Sequence, residues 1–450
     1  MNEVGQVRTE SMGPALTRRQ FTLLAGGVIA GAGLAELLQA CGGGSTQAGP
    51  AIPRSTAAAE MQLVWWGAEE RARRTNQVID LFQQKYPKYR IAGSYGAFDP
   101  YFDKLNTQVA AGAMPDIVQM DMRFIGEYTN KKLLLDLSPY TPDPIGLADF
   151  DNAQLSQGKI KRGLYGISLG GNVVAALLNE TLLDAAGAKY PKDATYADFA
   201  DWAVKLAPAL PKGVYPIQST PGIIEFEYFV RQRGRTLYTA DGKVGFTKQD
   251  AQEWLAYWAD LRKRGAAAPA DLAAAGRSSS ATELISTGKA VIRLGYQNFL
   301  DGYQKFTKGT LALHGYPAPA KGQKSGYYVK ASQLFSISAK TASPYQACQF
   351  VNLFINDPQA VKILLVERGV PGSAKVQEQI KPLLTAGQQA QVDYVAEYSK
   401  VSLPKNELDP PGAGAVGDAA MRADDSVGLK GTSVASAADT FMSEAQKAVS

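Results

Sequence analysis

After the first sixty residues, short apolar runs alternate with amphipathic stretches almost to the C-terminus. Gln62-Leu63-Val64-Trp65-Trp66 reads as a buried strand stopped by Gly67. A helix follows, with Ala72, Ile79 and Phe82 on one face and Pro87 past its end. Tyr89 to Tyr95 predicts a second strand, and Phe102, Leu105 and Val109 a helix closed by Gly112. Asp116 to Met120 predicts a third strand that ends in Asp121. Further strands are expected at 165–169, 173–179, 290–294 and 333–338. Strands alternating with helices predict an α/β protein with mostly parallel sheets flanked by helices. Ligands of open α/β sheets collect at the carboxyl ends of strands. That rule selects Trp66 to Glu70, Asp121 to Arg123, Asn172 and Tyr296 to Asn298.

The first forty residues have a different pattern, that of a targeting signal. Thr17-Arg18-Arg19-Gln20-Phe21 is a twin-arginine pair with an aromatic two positions on. The apolar run from Phe21 to Ala35 is too short to span a membrane, and Leu38-Gln39-Ala40-Cys41 reads as a lipobox. Cys41 is therefore the expected lipidation site, the first residue of the mature chain on the extracytoplasmic face of the cell membrane. Residues 41–60, rich in Gly, Ser, Thr, Ala and Pro, read as a flexible tether. What remains is long for one core and predicts two domains of ordinary size.

The chain carries 47 basic and 42 acidic residues, and the excess is dispersed without a run of like charge. Nucleic acid is accordingly not an expected partner. Arg71, Arg73 and Arg74 follow Glu69 and Glu70 on a predicted helix and are expected on its solvated face. With Cys41 acylated, Cys348 has no disulfide partner and is expected as a buried structural thiol. One histidine, His314, and two dispersed cysteines give no metal-ligand cluster, and no cofactor is expected.

Gly166-Ile167-Ser168-Leu169-Gly170 matches the nucleophile elbow of α/β-hydrolases. The elbow needs a helix after the serine and a late histidine, yet Gly171 to Asn179 reads as a strand and His314 sits mid-chain. Glu225 and Glu227 at i and i+2 point apart on a helix and are expected as surface acids, not a glycosidase pair. No enzyme is expected, and a binding site remains. Sugars are held by flat aromatic faces together with carboxylates, amides and arginines. Among the 21 tyrosines, Tyr296-Gln297-Asn298-Phe299 and Tyr327-Tyr328 stand beside such groups at predicted strand ends.

The mature chain resembles the family 1 extracellular solute-binding proteins, the maltose-binding type of ABC importer subunit. The resemblance is carried by Leu63-Val64-Trp65-Trp66-Gly67, by Phe102-Asp103-Lys104-Leu105 through Gly112-Ala113-Met114-Pro115-Asp116-Ile117-Val118, and by Leu133-Leu134-Leu135-Asp136-Leu137. It continues in Tyr165 through Asn179, Leu334 through Lys340, Phe350-Val351-Asn352, Asn356-Asp357-Pro358 and Arg368-Gly369-Val370-Pro371. It implies a periplasmic-binding-protein fold of class II with two lobes and three crossings, near Ser168–Asn172, Arg293–Gln297 and Tyr328–Ser332. On that reading 61–168 and 295–328 form lobe one, and 173–292 and 333–450 form lobe two. It also implies a carbohydrate, an oligosaccharide, bound in an interlobe cleft by a monomer that delivers it to a membrane permease. The implied contacts are Trp66, Glu69, Glu70, Asp121, Arg123, Asn172, Phe226, Tyr228, Tyr296, Gln297 and Tyr328. Pro410 to Val416, where relatives place late aromatic contacts, contains none. A secreted hydrolase using Ser168 and His314 and a surface interaction protein are the competing classes.

Overall fold

The first strand, β1 (Ala59–Trp66), alternates buried Ala59, Met61 and Leu63 with exposed Glu60 and Gln62, then buries both Trp65 and Trp66. A strand covered on both faces at its end belongs inside a layered sheet. The computed structural model describes residues 54–67, 69–219, 221–277, 279–324, 326–403 and 409–450. The arginine pair, Cys41 and most of the predicted tether lie outside the described residues.

After β1 come α1 (Glu69–Lys85), β2 (Tyr89–Gly96), α2 (Asp99–Ala110), β3 (Ile117–Met120), α3 (Met122–Asn130) and α4 (Asn152–Ser156). A small hairpin of β4 (Lys159–Ile160) and β5 (Gly163–Leu164) leads into β6 (Ile167–Asn172) and β7 (Val174–Asn179). Next are α5 (Glu180–Ala185), α6 (Tyr196–Leu206), β8 (Tyr215–Ile217), α7 (Ile223–Arg231), α8 (Lys248–Lys263) and α9 (Ala270–Gly276). They are followed by β9 (Ala290–Tyr296), α10 (Phe299–Gln304), β10 (Leu311–His314) and β11 (Lys330–Ile337). The chain ends in α11 (Pro344–Asn356), α12 (Pro358–Leu364), α13 (Ala374–Ile380), α14 (Ala386–Ser399), α15 (Ala413–Lys430) and α16 (Val434–Ala448).

Two sheets organise these elements. One has the order β2-β1-β3-β11-β6, the other β10-β7-β9-β8. The expected strands are all present, but the sheets are mixed rather than mostly parallel. Only β1–β2, β1–β3 and β8–β9 pair in parallel, because β11, β6 and β7 come from passages between the sheets and run antiparallel to their neighbours.

Chain tracing also corrects the expected lobe boundaries. The chain leaves the five-stranded sheet after β6 and enters the four-stranded one at β7. At Arg293–Gln297 it does not cross, since β9 is followed by α10 and by β10, which pairs with β7. Residues 295–328 therefore stay with the second lobe. The return comes at Val329, where β11 joins β3 and β6, and α11 and α12 pack with α1. Residues from 333 through α13 accordingly belong to the first lobe; Ser373, just before α13, bridges Phe150 and donates to Asp149 at 2.6 Å. Val376 and Ile380 of α13 already join the second lobe's buried cluster, and from α14 onward the chain packs on that lobe, with α15 and α16 on α8.

Each lobe has its own core. Val78, Phe82, Ile117, Phe335 and Phe350 are fully buried in the first, and Phe199, Phe226, Trp258 and Ile292 in the second. Burying one such side chain is worth about 1.5–3 kcal/mol. Cys348 is buried in the first core, where desolvation pushes its thiol up. Ser168 points inward from β6 and shares its hydroxyl with Gln154 at 3.0 Å and the Gly170 carbonyl at 3.2 Å. It is a strand residue, not an elbow, and His314 stands in the other sheet. The α1 arginines are more than a solvated face. Arg73 pairs with Glu70, but Arg71 reaches Glu367 at 2.8 Å and Arg74 reaches the Ile363 carbonyl at 2.7 Å.

Glu225 and Glu227 are likewise not surface acids. Both are buried on α7, which has apolar neighbours on every side. Burial lifts Glu225 to about 7, against the opposing charge of Arg293 and with help from Glu283. Its proton therefore binds more tightly in the folded chain than in the unfolded one. The stability this contributes is complete below its ordinary value of 4.5 and is lost as the pH rises to about 7. Glu225→Gln should flatten the fall in melting temperature between about pH 5 and about pH 8; equal slopes in variant and parent would refute the assignment.

The passage itself is built on glycine. A Cβ on Gly171 would stand 2.6 Å from Gln154 and 2.7 Å from Val329, and one on Gly170 would strike the Arg368 carbonyl. Gly170→Val should cost about 1–3 kcal/mol through this overpacking, measured by urea unfolding of the two proteins.

Candidate functional site

The polar groups that the sequence selects gather on one rim of the five-stranded sheet. β11 runs between β3 and β6, pairing Leu334 with Met120 on one side and Lys330 with Asn172 on the other. The residue after β3, Asp121, and the last residue of β6, Asn172, therefore open on the same edge. Asp121 caps α3 by accepting from the Arg123 amide at 2.9 Å. Its two oxygens also take the Arg123 guanidinium, Nε at 2.8 Å and Nη2 at 3.1 Å, a bidentate fork. Phe98 lies 4.8 Å from that guanidinium, and Trp66 packs edge-on against Phe98 and Tyr101. Burial would lower Arg123, but the Asp121 carboxylate and the charge of Asp409 hold it above its ordinary value. Asp409 comes just before α15, so a residue of each lobe contributes to the field here.

A second group forms where the chain passes between sheets. Gln297 is fully buried directly after β9. Its backbone amide donates to the Val173 carbonyl at 3.0 Å, while its side-chain oxygen accepts from the Val173 amide at 2.6 Å. Its side-chain nitrogen donates to Asn172 Oδ1 at 3.0 Å. The Gln297 amide is thus consumed in holding β9 to the passage, and the structure places it as a structural staple. Beside it, the hydroxyls of Tyr296 and Tyr328 meet at 3.1 Å, and Tyr328 donates to Glu227 at 2.8 Å. The Arg231 guanidinium lies over the Tyr328 ring at 4.7 Å, and the Lys330 ammonium over the Tyr296 ring at 5.9 Å. Burial pushes Tyr328 well above the ordinary phenol range, so it stays a hydroxyl donor.

Other expected contacts fall elsewhere. Phe226 is enclosed by Phe229, Phe246, Trp254 and Phe441 in the second core. Tyr228 is fully buried between Tyr316 and Tyr327. Both follow from α7 being buried all round. Glu69 is exposed in the first turn of α1. Glu70, held at about 2 by Arg73 and Arg74, borders a separate cavity of about 260 Å³ with Asn298, Asp301 and Gln388 of the second lobe. Sequence reasoning missed Glu227, Arg231, Lys330 and Asp409. The i, i+4 spacing of Glu227 and Arg231 on α7, and the place of Lys330 at a passage, were the available signals.

Comparison with known proteins agrees with this architecture. The family model for bacterial extracellular solute-binding proteins matches residues 68–361. Among solved structures, the chain is similar to a family 1 extracellular solute-binding protein from Alicyclobacillus acidocaldarius. The two share 30% identity over 88% of this chain and 99% of that one, with a TM-score of 0.75. A periplasmic oligogalacturonide binding protein from Yersinia enterocolitica has 20% identity, covering 87% of this chain and 98% of that one, with a TM-score of 0.71. An ABC substrate-binding protein from Listeria monocytogenes, solved with cycloalternan, has 17% identity, covering 86% of this chain and 98% of that one, with a TM-score of 0.70. The last two bear on the fold alone, a two-lobed one. Over most of its length and in both sheets, this chain belongs to the bacterial extracellular solute-binding protein family.

Proposed function

We propose that this protein is the extracytoplasmic receptor of an ABC importer, capturing a carbohydrate between its lobes and passing it to the membrane permease. The observation that carries the reading is two polar groups beside the passage, Asp121 with Arg123 on the rim of the five-stranded sheet, and Asn172, Tyr296 and Tyr328 with Glu227 of α7 where the chain passes between sheets. Carboxylate, guanidinium, amide and phenol together offer donors and acceptors for hydroxyls. The relatives from Yersinia and Listeria, by their descriptions, bind oligogalacturonide and cycloalternan, which favours an oligosaccharide here. Closure of one lobe on the other about the passages would enclose the sugar. Acylated at Cys41 after twin-arginine export, a monomer tethered by the segment that follows would present this cleft at the membrane surface.

A melting-temperature screen of the purified protein against oligosaccharides tests the receptor reading: a rise without turnover is expected, and turnover of the stabilising sugar would sink it. With the best sugar, Asp121→Ala, Arg123→Ala and Tyr296→Phe should each lose about ten- to hundredfold in affinity, since an unpaired buried partner costs about 1–3 kcal/mol. Asp121 and Arg123 lie at the rim, so their variants should melt near the parent without ligand, with a smaller ligand-induced rise. Calorimetric titration decides; unchanged affinity in all three would move the site elsewhere.

For the anchor, Cys41→Ser should shift the protein from the membrane fraction to the soluble one or leave an uncleaved precursor. A processed, membrane-bound variant would refute acylation at this residue.

A further inference from the structure

We infer that the ligand of this cleft is uncharged, which rests on the receptor reading above and deepens it. The cations near the strand ends already have partners. Arg123 offers its fork to Asp121, both oxygens engaged at 2.8 and 3.1 Å, and one face of its guanidinium lies near Phe98. Arg71, in the first turn of α1, is held by Glu367 at 2.8 Å and by the Trp66 carbonyl at 3.2 Å. Arg293, under the second lobe's rim, donates to Glu283 at 2.7 Å. Arg231 and Lys330 lie over tyrosine rings, and neither is without a partner. Asp121 and Asp409 face Arg123, and on the other side of the passage Glu227 accepts from the Tyr328 hydroxyl whose ring lies under Arg231, sign against sign.

A uronate or other acidic sugar needs a fork that faces it. Here it would have to displace Asp121 from Arg123 or approach two acids at close range. Either route leaves a like-charge contact in a partly desolvated site. A cationic sugar meets the mirror problem at Arg123 and Arg231. A neutral hydroxyl meets neither. Each hydroxyl donates and accepts at once, and the Asp121–Arg123 pair presents spare lone pairs beside spare N–H groups in one plane. The Tyr296–Tyr328–Glu227 chain offers the same alternation across the passage.

The test titrates the purified full-length protein calorimetrically with maltotriose, cellotriose and xylotriose as neutral probes. Trigalacturonic acid and a glucosamine trisaccharide are the charged ones. At least one neutral trisaccharide should bind at least about tenfold more tightly than either charged one. Its affinity should change by less than about twofold between about 0.02 M and about 0.5 M salt, since screening acts on charged ligands. Asp121→Asn, checked for an unchanged melting temperature, should raise trigalacturonate affinity about tenfold by releasing Arg123 while weakening the neutral sugar. Tighter binding of a charged trisaccharide by the parent protein would overturn the inference and leave the receptor reading standing. So would an Asp121→Asn protein with no gain for trigalacturonate. If no trisaccharide of any charge binds, the carbohydrate reading itself falls, and this inference with it.

Discussion

Three backbone segments meet in a space that admits no side chain between them, and the rest of the molecule is arranged around that meeting. Gly171 and Val370 exchange amide hydrogen bonds of 2.7 and 3.2 Å, and Ser332 donates to the Gly170 carbonyl at 3.1 Å. Gln297 staples the same passage to β9 from the other side. The backbone groups of Gly170, Gly171 and Val173, which a chain between two sheets would otherwise leave unpaired, thereby find partners in place. Such a joint is stiff along the strands and thin across them. That is the geometry in which two packed cores rotate as bodies while their interiors stay fixed.

From this joint one side chain reaches into the first lobe. Arg368 is almost fully buried, sandwiched near Phe335 and Phe354, and donates to Gln119 and, at 2.8 Å, to Thr75. Burial brings its guanidinium down to about 9, so it still carries its charge at neutral pH. Gln119 in turn donates to the Trp66 carbonyl at 3.2 Å. The carboxyl ends of β1 and β3, where Trp66 and Asp121 stand, are therefore fixed to the joint by a buried charge-assisted chain. A buried cation of this kind is expensive, and leaving it with fewer partners costs more than the pair is worth. The lobe is thus compelled to keep these strand ends in one arrangement, which is what a preformed half-site requires.

How much of this was legible in the sequence depends on where the information sits. Strand positions were legible, because apolar runs such as Val173 to Leu178 and Ala290 to Ile292 are short, continuous and bounded by polar residues or glycine. Which lobe each later segment joins was not. Nothing local in 295–337 distinguishes a strand that stays, β10, from one that returns, β11; that is settled by pairing partners more than a hundred residues away. The rim residues Asp121 and Asn172 follow from the strand-end rule. Glu227 does not, because a carboxylate amid Phe226, Tyr228, Phe229 and Val230 has the same composition whether the helix is half-covered or fully covered. Only the packed tertiary surroundings reveal that the acid is inside and hydrogen-bonded. Gln297 follows β9 as the strand-end rule expects, but its amide closes a backbone pair, a use its sequence position does not distinguish from ligand contact.

The same accounting explains why the joint and the cleft share residues. Asn172 gives its oxygen to Gln297 at the staple and lies opposite Lys330 across the rim, while Tyr296 ends β9 and begins the Tyr328–Glu227 chain. A ligand that orders these groups acts on the element that also sets the angle between the lobes. On the proposed function, binding energy at this position would be realised in full only in a conformation where both lobes reach the ligand, which would couple affinity to closure. Groups already hydrogen-bonded to one another before the ligand arrives lose little freedom when it does. The cost of building the joint is met by folding, and the site at its edge is organised at no further expense.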